Sequence, residues 1–278
     1  MSITYLGPSG SFSEQAARFA AAHMRPGAAL TPCHTIEEAI AAVSHNASAM
    51  AVVPIENSIE GAINATLDTL IFDEALFIHA QINLPVRQNL LVHASADDTV
   101  PARIISHPQA LAQSRKFLQA HFPNAQLIPA QSTSQAAQLV AESGADGATA
   151  AVGSTLAAEL YGLRVRCADI QENNLNTTQF AVVAAASPTA RFGEKTSLAF
   201  STSNEPGSLY KILDIFALWN LNMTRIVSRP MKDSPGAYAF FIDLENPENP
   251  DDLRDALTMV RRKASFFKLL GSYPVWLV

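Results

Sequence analysis

The sequence predicts an α/β protein in two parts, from three observations: strand–helix alternation over the first ~185 residues, a break without periodicity, and a compact βαββαβ pattern after it. Residues 3–6, 49–54, 103–106, 126–129 and 148–152 are apolar runs of strand length. Helical periodicity fills residues 13–24, 36–45, 109–121, 134–142 and 154–161 between them. This alternation predicts a mostly parallel sheet with helices on both faces. Residues 76–94 break the rhythm, because two extended runs, 77–84 and 86–93, abut at Pro85. They predict a crossover between two lobes, with the return at residues 164–178.

Three helix starts carry a hydroxyl followed three residues later by Glu or Gln: Ser11 and Glu14, Thr35 and Glu38, Ser132 and Gln135. Each follows a predicted strand, so each puts a helix N-terminus at the carboxyl edge of a sheet, where open α/β sheets bind ligands and free N–H groups favour anions. Residues 184–196 have neither period and read as a linker. Beyond it, residues 197–202 alternate, and Leu209, Ile212, Leu213, Phe216 and Trp219 form a helical stripe behind Pro206. Residues 223–229 and 238–244 read as strands around a turn at Asp233-Ser234-Pro235-Gly236. Leu253, Leu257 and Val260 form a second stripe, and residues 267–271 a last strand.

Composition excludes several classes. The net charge is −6 and the basic residues are scattered, so there is no electrostatic footprint for nucleic acid. Cys33 and Cys167 stand alone, which excludes a disulfide framework and fits a reducing compartment. No apolar run approaches the ~18 residues of a membrane span, and the first strand begins at once, without a leader pattern. The expected location is the cytoplasm, away from membranes. The seven His are dispersed without HExxH spacing, and no GxSxG elbow occurs. The sequence therefore points to positioning and hydrogen bonding, with no metal and no cofactor.

Three loops after strands concentrate polar groups: Gly7-Pro8-Ser9-Gly10-Ser11-Phe12-Ser13, Pro54-Ile55-Glu56-Asn57-Ser58-Ile59-Glu60-Gly61 and Ser106-His107-Pro108-Gln109. The first is not GxGxxG, and Pro8 removes an N–H that a phosphate cradle would use. The second sets two carboxylates, an amide and a hydroxyl directly after Ala51-Val52-Val53. His107 stands where it would cap a helix, orient a ligand or exchange protons.

These segments, with Ser106-His107-Pro108-Gln109-Ala110-Leu111-Ala112-Gln113 and Asn176-Thr177-Thr178-Gln179-Phe180, resemble in order and spacing the prephenate dehydratase family. Asn204-Glu205-Pro206-Gly207-Ser208-Leu209 and Ser228-Arg229-Pro230 resemble the ACT domain that follows in that family. The resemblance implies a two-lobed catalytic domain like the periplasmic binding proteins over residues 1–185, then a ferredoxin-like ACT domain over residues 196–278. It leaves no room for the chorismate mutase domain fused to some relatives. It implies conversion of prephenate to phenylpyruvate in L-phenylalanine biosynthesis, feedback control by L-phenylalanine, and a homodimer or homotetramer.

Carried over residue by residue, the resemblance implies that Thr178 is catalytic. Ser11, Glu56, Asn57, Ser58, His107, Thr133, Gln179 and Phe180 are implied to bind substrate. Asn204, Gly207, Ser208, Leu209, Ser228, Arg229 and Pro230 are implied to bind L-phenylalanine. The chain departs from the family twice: Gln179 replaces the Arg of Thr-Arg-Phe, and Val227 replaces the Glu before Ser-Arg-Pro. Exchanging a charged for a neutral hydrogen bond at 179 costs on the order of 1–2 kcal/mol, about tenfold, if that Arg touches substrate. Two other activities fit an altered motif: a non-aromatising prephenate decarboxylase, and a catalytically inactive amino-acid sensor.

Overall fold

The computed structural model of the chain describes residues 2–44, 50–73, 76–97, 99–144, 147–186, 193–231 and 234–278. Residues 187–192 of the expected linker, Asp233 of the expected turn and residue 49 of an expected strand lie outside the described residues. The chain opens with β1 (Ser2–Leu6), α1 (Phe12–Met24), β2 (Ala29–Cys33), α2 (Ile36–Ser44) and β3 (Met50–Asn57). β4 (Gly61–Ala62) folds back on β3, and α3 (Asn64–Asp68) runs into a π-helical turn at Thr69–Asp73 before β5 (Phe77–Pro85). Next come β6 (Asn89–His93), β7 (Arg103–Ser106), α4 (Pro108–Gln113), α5 (Arg115–His121), β8 (Gln126–Pro129), α6 (Thr133–Glu142), β9 (Thr149–Gly153), α7 (Thr155–Tyr161) and β10 (Leu163–Cys167). β11 (Thr177–Ala184) precedes β12 (Lys195–Ser201), α8 (Ser208–Leu218), β13 (Met223–Pro230), β14 (Tyr238–Glu245), α9 (Pro250–Lys263), β15 (Phe266–Tyr273) and β16 (Val275–Leu277).

These strands form three sheets. The first has the order β16-β5-β11-β3-β1-β2 with β4 beside β3, the second β10-β6-β9-β7-β8, and the third β13-β14-β12-β15. The first two sheets are mixed, which corrects the expectation of mostly parallel pairing there, and the third is antiparallel throughout. β1 pairs parallel with β2 and β3, and β7 with β8 and β9, as strand–helix alternation requires. The strands on either side of the passages between the first two sheets run against their neighbours. β11 is antiparallel to β3 and β5, and β6 to β9 and β10.

The capping boxes form at all three expected helix starts. Ser11, Thr35 and Ser132 accept from the N–H of Glu14, Glu38 and Gln135, at 3.2, 3.0 and 3.0 Å. Each acid or amide reaches back to an N–H: Glu14 to Gly10 at 2.6 Å, Glu38 to His34 at 2.8 Å and Gln135 to Gln131 at 2.8 Å. The expected helix 109–121 is instead broken at Ser114 into α4 and α5. Glu172, from the segment returning toward the first sheet, occupies the break. Its N–H donates to Gln113 O at 2.7 Å, and its carboxylate accepts from Lys116 N at 3.0 Å. The Lys116 N–H and, next, the Lys116 ammonium at 3.1 Å hold its carboxyl below the usual carboxylate range.

β3 is buried along almost its whole length, as its run of apolar residues requires. Pro54 lies inside it and cannot donate to a ladder, and the ladder adjusts next to it. Phe180 pairs with Pro54 but Gln179 pairs with Glu56, so Ile55 is one extra residue on β3. The third sheet packs on one face of the first through a shared apolar core that includes Val53, Ile78 and Ala181 with Phe241, Leu270 and Tyr273. The chain end then returns as β16, parallel to β5, an element with no period long enough to be read in the sequence.

Candidate active site

The register shift at Ile55 decides which side chains meet. Thr178 faces Asn57 across the β3–β11 pair, and Gln179 faces Glu56 on the opposite side of the sheet. Asn57 Nδ2 donates to Thr178 Oγ1 at 2.9 Å and to Asn176 Oδ1 at 3.0 Å. Asn57 Oδ1 accepts from the N–H groups of Ile59 and Glu60 at 3.0 and 3.2 Å. The amide is therefore fully used and its orientation fixed. Thr178 is 9% exposed. With a lone pair of its oxygen engaged by Asn57, the hydroxyl proton points elsewhere.

A cavity of about 200 Å³ opens in front of this hydroxyl, lined from the first sheet by Phe12, Asn57, Asn176 and Thr178. The opposite wall comes from the second sheet and its helices: Gln88, His107, Gln109, Ala110, Gln113, Gln131, Ser132 and Thr133. His107 is the N-cap of α4, and its Nδ1 accepts from Gln109 N at 3.3 Å, which assigns the ring proton to Nε2. Thr133 begins α6, a ten-residue helix whose first-turn N–H groups lack helical acceptors and attract negative charge. No Asp, Glu, Lys or Arg lines this cavity among the described residues.

Gln131 and Ser132 also border a neighbouring cavity of about 690 Å³ under Gly7, Pro8 and Ser9. There the two halves touch: Ser154 Oγ donates to Gly10 O at 2.9 Å, and Ser134 Oγ donates to Ser9 O. Gly10, at φ +84°, leaves no room for a side chain. A Cβ there would lie 2.6 Å from Ser134 Oγ and 3.3 Å from Ala157 Cα.

Of the expected substrate contacts, Asn57, His107 and Thr133 line the cavity with Thr178. The others lie elsewhere. Ser11 caps α1, and Ser58 ties the loop to β11, donating to Leu175 O at 3.4 Å and accepting from Thr177 N at 3.0 Å. Phe180 is in the apolar core beneath α1. Glu56 and Gln179 both accept from Arg225 of β13. Sequence reasoning did not single out Gln88 and Phe12, which only the meeting of distant segments makes cavity residues. Asn176 Nδ2 and Gln88 Oε1 are buried without a hydrogen-bonding partner in the protein, at the cavity wall.

In the third sheet, Asn204, Ser208 and Leu209 line a cavity of about 190 Å³ with Tyr238 and Phe240. Gly207 caps α8 in the left-handed conformation, and Ser228 and Pro230 are exposed on β13. Arg229 turns from that cavity to a two-pronged ion pair with Asp68, Nε to Oδ1 at 2.6 Å and Nη2 to Oδ2 at 2.7 Å. Among the described residues, no group of three or more His, Cys, Asp or Glu is placed to hold a metal ion. Among the same residues, no helix is long and apolar enough to cross a membrane.

Three likenesses to known proteins bear on this geometry. A prephenate dehydratase of Mycobacterium sp. (strain JLS) is 38% identical over 282 residues, covering 98% of this chain and 88% of that protein. The crystal structure of a prephenate dehydratase from Arthrobacter aurescens in complex with L-Phe has a TM-score of 0.86 at 33% identity, over 99% of this chain and 90% of that one. A structure described as GqqA, a novel type of quorum quenching acylases, matches with the same TM-score and identity over 99% of this chain and 98% of that one. Residues 3–188 match the family described as prephenate dehydratase, and with them the chain belongs to the prephenate dehydratase family.

Proposed function

We propose that the cavity between the first two sheets is where prephenate becomes phenylpyruvate, with Thr178 hydrogen-bonding the departing hydroxyl. The observation that carries this is the Asn57–Thr178 hydrogen bond, which aims a hydroxyl proton at a cavity bounded on its far side by the N-terminus of α6. In the reaction the ring carboxylate leaves as carbon dioxide, and the electrons of its carbon–carbon bond complete the aromatic ring. The ring hydroxyl departs with its own bonding pair and is released as water after taking a proton. A threonine hydroxyl is too weak an acid to give up its proton outright, so its part is donation to the developing hydroxide. The Asn57 N–H polarises that hydroxyl and strengthens it as a donor.

The substrate is a dianion, and the lining answers it with neutral donors. The first turn of α6 at Thr133, with His107 Nε2–H and Asn176 Nδ2, supplies the hydrogen bonds for the carboxylates. Phe12, Val86 and Ala110 form the apolar part, where the carboxylate to be lost sits with less water around it. Ser11, Ser58, Glu56, Gln179 and Phe180 then act through the scaffold. Incubating the pure protein with prephenate and identifying the product tests this. Phenylpyruvate is expected; a non-aromatic decarboxylated acid or no turnover would count against it. Acylase chemistry has less support here: Thr178 Oγ1 and Ser132 Oγ accept from amides, and His107 Nδ1 is engaged by Gln109, so no hydroxyl–imidazole pair is set up.

The same reading takes residues 1–185 as a two-lobed catalytic domain like the periplasmic binding proteins, with passages near residues 76–94 and 164–178. It takes residues 196–278 as a ferredoxin-like ACT domain, supported by the order β12-α8-β13-β14-α9-β15 and the antiparallel third sheet. The cavity at Asn204, Ser208 and Leu209 is the site for L-phenylalanine, and calorimetry with that amino acid tests it. Ile226, Ser228 and Pro230 are exposed on the edge strand β13, which supports a second copy as homodimer or homotetramer. Free thiols at Cys33 and Cys167 fit the cytoplasm.

A further inference from the structure

We propose that Arg225 is a positioning residue for the dehydration, holding from the third sheet the two strand residues next to Thr178 and Asn57. Its side chain is 6% exposed and lies between the first and third sheets. Nη2 donates to both Glu56 Oε2 and Gln179 Oε1, so a single nitrogen bridges β3 and β11. Nη1 lies 3.2 Å from Asp243 Oδ2, and the guanidinium carbon lies 5.9 Å from the centre of the Phe241 ring. Asp243 is fully buried, accepts from Ser197 Oγ, and has Lys195 Nζ at 3.8 Å. Two cations therefore meet two carboxylates, and the buried charge balances.

The bridge falls beside the register shift at Ile55, where the β3–β11 ladder is locally interrupted. Glu56 and Gln179 are the immediate neighbours of Asn57 and Thr178, on the opposite face of the same two strands. The guanidinium thus fixes the strands' separation and rotation where the ladder does not, and with them the aim of the Thr178 hydroxyl. It touches no cavity residue. A flat, forked cation can hydrogen-bond Glu56 and Gln179 through one nitrogen while ion-pairing with Asp243 through another, whereas an ammonium on a flexible stem holds them less rigidly. Arg225 also makes the cleft's alignment depend on how the third sheet is seated.

This inference rests on Thr178 being the hydroxyl that faces substrate, which wild-type turnover of prephenate and the loss in Thr178→Val test separately. Purified Arg225→Lys, Arg225→Gln and Gln179→Met are to be compared with wild type in steady-state turnover and thermal melting. Expected is a kcat lower by about tenfold in Arg225→Lys and further in Arg225→Gln, with KM within about threefold of wild type. If Arg225→Gln does not fold, Gln179→Met decides, because it keeps all four charges and removes only the second strand's acceptor; its kcat should fall with KM unchanged. A folded Arg225→Lys or Gln179→Met with kcat within about twofold of wild type would overturn the proposal. So would a loss carried by KM alone, or a lowered melting temperature with wild-type kcat.

Discussion

Asn57 and Thr178, 121 residues apart, are joined by a 2.9 Å hydrogen bond in which the amide donates and the threonine oxygen accepts. The direction of that bond leaves the threonine proton to be donated elsewhere, and the oxygen borders the cavity. Thr178→Val keeps the shape and removes the donor, and should lower kcat at least about a hundredfold, with the melting temperature little changed. Thr178→Ser should recover much of that loss, because the serine oxygen can accept from Asn57 in the same way. Near-normal turnover in the valine variant would remove Thr178 from the chemistry.

Asn57→Asp separates donation from scaffolding. The new carboxylate still accepts from the N–H groups of Ile59 and Glu60, but it cannot donate to Thr178 and sets a negative charge beside a dianion. We expect a folded protein with kcat/KM lower by about a hundredfold, read from steady-state kinetics.

Gly10→Ala tests the contact between the two halves. The added methyl meets Ser134 Oγ and the Ala157 backbone, at a φ of +84° that disfavours any side chain. Destabilisation of about 1–3 kcal/mol is expected in denaturant unfolding, together with a lower kcat/KM as the walls separate.

Tyr273 gives a pH test. Burial pushes its hydroxyl well above the usual 10.0, and the negative charge of Asp243 adds to the shift. Its folded pKa exceeds its unfolded one, so its stabilisation is complete below about pH 10 and is lost as pH rises through the folded value. Lys195 acts in the opposite sense: burial lowers its pKa, so in the window up to its usual 10.5 the unfolded chain binds more protons and stability rises with pH. Phenolate absorbance isolates the tyrosine. Burial also raises Tyr5, by less, so of the five tyrosines Tyr273 should ionise last, and Tyr273→Phe should remove that latest step while leaving the Tyr5 delay in place.

Where periodicity and local chemistry decide, the sequence was legible. Residues 103–106 and 126–129 became β7 and β8 with those bounds, and the Ser11, Thr35 and Ser132 caps formed with their reciprocal bonds. Which way the side chains of the quoted motifs face was not legible there. Glu56 and Gln179 lie in motifs next to Asn57 and Thr178, yet an interrupted ladder turns them to the other face. Arg229 belongs to a motif read as an effector contact, but Asp68, 161 residues away, holds it. Phe12 stands in a quoted motif without an assigned role, and Gln88 in none; both reach the cavity because distant segments converge there.

The extra residue at Ile55 sets the sign of what a bound dianion meets. In an uninterrupted β3, Glu56 would fall on the same side as Val52 and Pro54, facing the cavity, and Asn57 would turn toward the third sheet. The bulge puts a donating amide where regular alternation of the same residues would put a repelling carboxylate, and sends the carboxylate to a guanidinium. Regular pairing of the same eight residues, without the bulge, would therefore reverse the electrostatic character of the cleft without a single substitution.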